Sequence, residues 1–126
     1  MRSTAPPGLT VVQLRALTFI GRQPGSGLST LAEHLGMSPP SASALVNRLV
    51  RDDLLHRAID PAERRRIRLQ LTDAGAARVR TARRSARTWL RNALAEFSAD
   101  DLGRLSTSLD VLEHIGATVG AARAER

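Results

Sequence analysis

Apolar side chains recur along this chain with two different periods, and the change of period divides it. From Thr10 to about Gly21 the spacing is helical, with Val11, Leu14, Leu17, Thr18 and Phe19 near one side. Thr10 stands where an N-cap belongs, and Gln13, three residues on, completes a capping box. Pro24, Gly25, Ser26 and Gly27 then break the pattern. Ser29 is placed to cap a short helix over Thr30–Leu35, closed by Gly36. Ser38 caps the next helix, with Pro39 at the first helical position, where a missing N–H is harmless. Its apolar residues Ala42, Leu45, Val46 and Leu49 follow i, i+3, i+4, i+7. After Asp52-Asp53 the period shortens. Leu54–Ile59 and Arg66–Leu71 read as two short strands around the polar tip Asp60–Arg65, the second alternating with period two. Thr72 caps a long helix to about Ala95, with Gly75 weakening its first turn. Ser98, with Asp101 at N3, caps a last helix to about Ile115, which Gly116 and Gly120 should fray.

The implied fold class is mainly α with a small β-hairpin: a winged helix-turn-helix followed by C-terminal dimerisation helices. The division expected is 1–9 as an irregular leader containing Pro6-Pro7-Gly8, 10–71 as the winged helix-turn-helix, and 72–126 as the helical dimerisation region. The strongest local unit is Leu31-Ala32-Glu33-His34-Leu35-Gly36-Met37-Ser38. Ala32 is small where two helices cross, Gly36 makes the turn, Met37 plugs it into the core, and Ser38 opens the second helix.

Charge sharpens this picture. The net charge is +7, and all 19 basic residues are Arg. A pI near 11.7 in so small a domain points to a polyanionic partner. Arg suits planar contact with phosphate or guanine, although an Arg bias also follows from genome base composition. Aromatic residues are 2% of the chain, too few for the stacking platforms that single-stranded nucleic acid needs. The absence of Cys excludes disulfides, thiolate metal sites and thiol redox sensing. Met1–Gly8 has no apolar signal-peptide core, no run approaches the roughly 20 residues of a membrane span, and the location expected is the cytoplasm.

With residues 42, 45, 46 and 49 inward, Pro40, Ser41, Ser43, Ala44, Asn47 and Arg48 face outward, as does Arg51. Together with Ser38 they are the candidate DNA-reading face, since small hydroxyls permit close approach and Arg48 reaches guanine or phosphate. No carboxylate occurs from Ser38 to Arg51. The wing carries Arg64, Arg65 and Arg66, placed to enter a minor groove or grip phosphates, with an Asp60–Arg65 pair expected to brace it. A solvated charge run is the plain alternative.

At this point the chain resembles the MarR family (multiple antibiotic resistance regulators) from Leu9 to about Ile115. The matching residues are Leu9-Thr10 with Gln13, Leu31–Gly36 with Ser38, and Leu45-Val46-Asn47-Arg48-Leu49. Leu54-Leu55 with Arg57, the wing Asp60–Arg65, and Leu69-Gln70-Leu71-Thr72-Asp73-Ala74-Gly75 complete the match. The resemblance implies Ser38–Arg48 as recognition helix and Asp60–Arg66 as wing. It also implies an effector-responsive repressor, with a small molecule of unknown identity binding between the DNA-binding lobe and the dimer helices. No other cofactor is expected. Two departures stand out: Ala62 occupies the place of the family's first wing Arg, and a Pro-rich leader stands where the family has a full helix.

Between Arg57 and Arg91 eleven Arg stand against Asp60, Glu63 and Asp73. Arg80, Arg84, Arg87 and Arg91 form a stripe on the long helix that is solvated, repels a twin, or lines an anionic ligand's path. Ala76, Val79, Ala82, Ala86, Trp89, Leu90, Leu94 and Phe97 are expected to pack on Leu102, Leu105, Leu109, Leu112 and Ile115. Of these, Trp89, Leu90, Leu94, Leu102, Leu105, Leu109 and Leu112 are the candidate dimerisation residues. A homodimer would set two recognition helices one DNA turn apart on a pseudo-palindromic operator. His34, His56 and His114 are too dispersed for a metal site, and no catalytic site assembles, so neither metal nor enzyme chemistry is expected. The rival reading is a winged-helix protein-interaction module without DNA readout.

Overall fold

The computed structural model describes residues 8–124. The elements run α1 (Val11–Arg22), α2 (Leu28–Leu35), α3 (Pro39–Arg51), β1 (Leu55–Ile59), β2 (Ile67–Leu71), α4 (Asp73–Leu94) and α5 (Ala99–Ala124). The chain forms two compact bodies, one up to Arg87 and one from Thr88, with α4 crossing from the first into the second.

In the first body, α1, α2 and α3 surround a core of aliphatic residues, and the hairpin closes it. Leu17, Ile20, Leu31, Leu49, Leu55 and Leu69 are among its fully buried side chains, with Val46 and Val79 beside them. The capping box of α1 forms as expected. Thr10 Oγ1 accepts from the Gln13 N–H at 3.1 Å, and Gln13 Oε1 accepts from the Thr10 N–H at 3.0 Å. That reciprocal pair explains how Gln13 can be buried. The buried face of α1 is Gln13, Ala16, Leu17 and Ile20 with Phe19, whereas Val11, expected to face inward, is exposed. The inner stripe therefore starts from the capping glutamine, not from the first apolar residue.

Helix α2 begins two residues earlier than its sequence suggests. Gly27, not Ser29, is the N-cap, without a side-chain cap bond. The loop before it is held by the hairpin: the Gly25 N–H donates to the Leu69 carbonyl and the Leu69 N–H to the Ser26 carbonyl, both at 2.9 Å. This bridge turns the chain into α2 before Ser29 is reached.

The hairpin pairs Leu55 with Leu71, Arg57 with Leu69 and Ile59 with Ile67 in antiparallel register. Thr72 then fastens α4 to the α3–β1 corner. Its hydroxyl donates to the Asp53 carbonyl at 2.5 Å and accepts from the Gly75 N–H at 3.0 Å, and its own N–H donates to the Leu54 carbonyl at 3.2 Å.

In the second body, Ser98 caps α5 by accepting from the Asp101 N–H at 3.1 Å. Gly116 and Gly120 do not end the helix, which continues to Ala124. Hydroxyls of Thr107, Ser108 and Thr118 donate to carbonyls four residues back, so they place no unpaired polar group on the surface. Leu102, Leu105, Leu109 and Leu112 follow one another at spacings of three, four and three, as in a coiled-coil seam, Val119 lies seven residues further on, and all are exposed in the single chain. Trp89, Leu90, Phe97 and Ile115 are likewise exposed, and Leu94 is half-buried.

Candidate nucleic-acid interface

The turn between α2 and α3 is built by Gly36 at φ 66°, in the left-handed region where a Cβ is penalised. The Met37 N–H donates to the Ala32 carbonyl at 2.9 Å, closing a Schellman-type end. Met37 itself is half-buried, so it covers the core rim instead of filling the core. Ser38 Oγ accepts from the Ser41 N–H at 3.3 Å and donates to Ser41 Oγ at 2.9 Å. The Ser38 hydroxyl is thus committed to starting α3, while Ser41 Oγ, which accepts from it, keeps its own hydrogen to donate outward.

On α3, Ala42, Val46 and Leu49 are buried and Leu45 is half-buried. Pro40, Ser41, Ala44, Asn47 and Arg48 are exposed, as is Arg51, while Ser43 is half-buried. The face is a protruding helical surface without a negative charge. At its end Asp53 takes φ 59°, and the Leu54 N–H donates to the Leu49 carbonyl at 2.9 Å. This reverses the chain sharply into the hairpin.

Arg57, on β1, crosses to this face. Its guanidinium donates to Asn47 Oδ1. Arg57 belongs with the candidate interface residues, and reading the sequence for surface helices alone missed it. The signal was available: Leu55, Arg57 and Ile59 alternate onto one face of the strand, with Leu55 buried, and β1 packs on α3.

The wing tip runs from Asp60 to Arg66. The Asp60 N–H donates to the Arg66 carbonyl at 3.0 Å, and the Arg66 N–H to the Glu63 carbonyl at 2.9 Å. Asp60 is 4% exposed. Its Oδ1 accepts from the Ala62 N–H at 2.9 Å, and its Oδ2 accepts from Arg68 Nε at 3.0 Å and Nη2 at 2.8 Å. The brace is therefore Asp60–Arg68, not the expected Asp60–Arg65. Arg68 lies opposite Ala58 in the ladder, so it shares a face with Asp60 diagonally across the strands. Arg65 sits in the turn, off the ladder. The Ala62 N–H and then the Arg68 side chain hold the Asp60 carboxyl below the usual aspartate pKa.

Arg66 pairs with Glu63 at 3.0 Å on the surface, a contact worth little in water. Arg64 and Arg65 are exposed. Arg65, Arg66 and Arg68 also line a cleft of about 690 Å³ with the Gln23–Thr30 segment and Asp60. The cleft faces solvent at the base of the wing, so cationic side chains continue from the tip toward the start of α2.

The histidines serve packing and surface contacts. His34 stacks on Phe19 with ring centroids 4.2 Å apart, and His56 Nε2 lies 3.0 Å from Gln70 Oε1 across the hairpin. Among the described residues, no group of three His, Cys, Asp or Glu side chains is placed to hold a metal ion. No described helix is long and apolar enough to cross a membrane.

Comparison with known proteins bears on this geometry. The model of the MarR family matches residues 8–66, from the start of the winged helix to the wing tip. A Mycobacterium tuberculosis HTH-type transcriptional regulator is 26% identical over 104 residues, covering 82% of this chain and 73% of its own length. The crystal structure of RV1404 from Mycobacterium tuberculosis is 27% identical and superposes with a TM-score of 0.82, covering 87% of this chain and 75% of its own. Streptococcus pneumoniae FabT, solved in complex with DNA, shares the fold with a TM-score of 0.75 at 18% identity, covering 89% of this chain and 78% of its own.

Proposed function

From the match of residues 8–66 to the model of the MarR family, we propose that the chain is a transcriptional regulator of that family, not an enzyme, that reads double-stranded DNA as a homodimer. The observation that carries this reading is the exposed outer face of α3. From Ser38 to Arg51 it presents hydroxyls, Asn47, Arg48 and Arg51 without a carboxylate, and Arg57 adds a further guanidinium from the strand beside it. Arg64 and Arg65 at the wing tip extend the same positive surface. A helix of this profile fits a major groove, and the wing fits the flanking phosphates or minor groove. The fold is one that FabT uses on DNA.

Dimerisation is supported by the exposed seam Leu102, Leu105, Leu109 and Leu112 on α5. Apolar rows of this length on one helix are ordinarily covered by a second helix. Two-fold pairing would demand a pseudo-palindromic operator. The chain is further read as a repressor released by a small-molecule effector, which changes the separation of the two recognition helices.

The deciding experiment is a binding titration of the full chain on fragments flanking its own gene, at several salt concentrations. A DNA reader loses affinity steeply as salt rises, because each neutralised phosphate releases counterions. A protein-interaction module of the same shape would bind none of the fragments at any salt.

A further inference from the structure

One side chain on the outer face of α3 has its orientation already decided. Asn47 Oδ1 accepts a hydrogen bond from the Arg57 guanidinium, and both side chains are exposed. A guanidinium has donors only, so the carboxamide must turn its oxygen to Arg57. The oxygen and nitrogen of a planar carboxamide point to opposite sides. With Oδ1 toward β1, the Nδ2 amino group points the other way.

This changes what Asn47 can recognise. A free Asn offers an acceptor and a donor side by side, the match to adenine N6 and N7. Asn47 instead presents donors at its outer end. Acceptors with no adjoining donor occur in the major groove on guanine, at N7 and O6, and on thymine, at O4. On adenine, N7 is the one acceptor, and the N6 amino group beside it meets Nδ2 donor against donor, whereas guanine offers two acceptors side by side.

The surroundings hold the pair in register. Val46 is buried just before Asn47 in sequence and Leu49 two residues after it, which fixes the helix; Leu55, buried two residues before Arg57, fixes the strand. The ion pairs among the described residues join Arg66 to Glu63 and Arg68 to Asp60, so no carboxylate draws Arg57 away from Asn47.

Given the DNA reading above, on which this rests, we propose that Arg57 is a specificity-determining positioning residue. It holds Asn47 as a hydrogen-bond donor, so that each half-site carries guanine or thymine opposite Asn47 and disfavours adenine.

The test is enrichment of randomised duplexes on the full chain, followed by sequencing. The proteins are the wild type, Asn47→Ala, Asn47→Asp, Arg57→Met and Arg57→Lys. In the wild type, one position per half-site should prefer guanine or thymine, and Asn47→Ala should erase that preference, about five- to tenfold in relative affinity. Arg57→Met keeps an aliphatic stem without donors, frees the carboxamide to rotate, and should admit adenine there. Arg57→Lys, a donor-only cation, should restore the wild-type preference. Asn47→Asp, an acceptor only, should move the preference to the bases that present an amino donor, cytosine through N4 or adenine through N6. Adenine at the Asn47-dependent position of the wild type overturns the proposal. So does an unchanged base preference in a folded Arg57→Met variant, with folding checked by circular dichroism. If that variant does not fold, the Asn47→Asp shift decides, and its absence overturns the proposal. Wild type that enriches no duplex sinks the DNA reading itself; enrichment without an Asn47-dependent position sinks only the role given to Asn47 and Arg57.

Discussion

The α-carbon of Gly75 lies against the carbonyl of Leu54 so closely that a Cβ on residue 75 would collide with that backbone. From the sequence, this glycine only weakens the first turn of a long helix. In the fold it is the contact by which α4 docks on the α3–β1 corner, clamped by Thr72 between Asp53 and Gly75.

Replacing Gly75 with Ala should therefore destabilise the protein by about 3 kcal/mol, because the obstacle is backbone and cannot rotate aside. Gly103→Ala, inside α5 with open space around it, should instead stabilise by about 0.5–1 kcal/mol through helix propensity. Urea denaturation of both variants checks the contrast. Equal effects would mean that the docking contact does not exist.

The wing brace should respond to acid in a defined direction. The folded-state pKa of Asp60 is lowered by the Ala62 N–H and by Arg68. Its contribution is then fully present above the unfolded value, about 3.9, and is lost as pH falls through the folded one. Asp60→Asn should flatten that acid limb of the stability curve, measured as urea midpoint against pH. Arg65→Ala should leave the limb in place, since Arg65 is not the partner of Asp60.

Wing arginines should divide by their partners. Arg64→Ala and Arg65→Ala should weaken duplex binding across all sequences, and each should reduce the salt slope by about 1 if it neutralises a phosphate. Arg66→Ala should do less, because Arg66 already faces Glu63. Titrations at four salt concentrations separate these outcomes, and a slope unchanged in all three variants would remove the wing from the interface.

Placing a charge in the α5 seam should abolish self-association. Leu109→Glu sets a carboxylate in the middle of an apolar row that is exposed in the single chain. Sedimentation equilibrium should report a monomer for this variant and a dimer for the wild type. Affinity for a two-half-site operator should fall with it, whereas a fully dimeric Leu109→Glu protein would relocate the interface.

Local signals carried much of this molecule. The caps at Thr10, Ser38, Thr72 and Ser98, the turn at Gly36 and the period-two run of β2 all depend on neighbours within a few residues, and so they were legible in the linear order. The outward face of α3 followed from the same reasoning, because three buried positions on a helix leave only one side for the rest. The net charge and the lack of carboxylates along that face are likewise properties of composition. What the linear order could not settle were pairings between residues far apart along the chain. Arg68 and not Arg65 meets Asp60 because strand register places it there. Arg57 reaches Asn47 because β1 packs beside α3. Gly27 starts α2 because β2 grips the loop before it. Short-range physics is written in adjacent side chains; which distant donor finds which acceptor is decided only when the core brings the elements together.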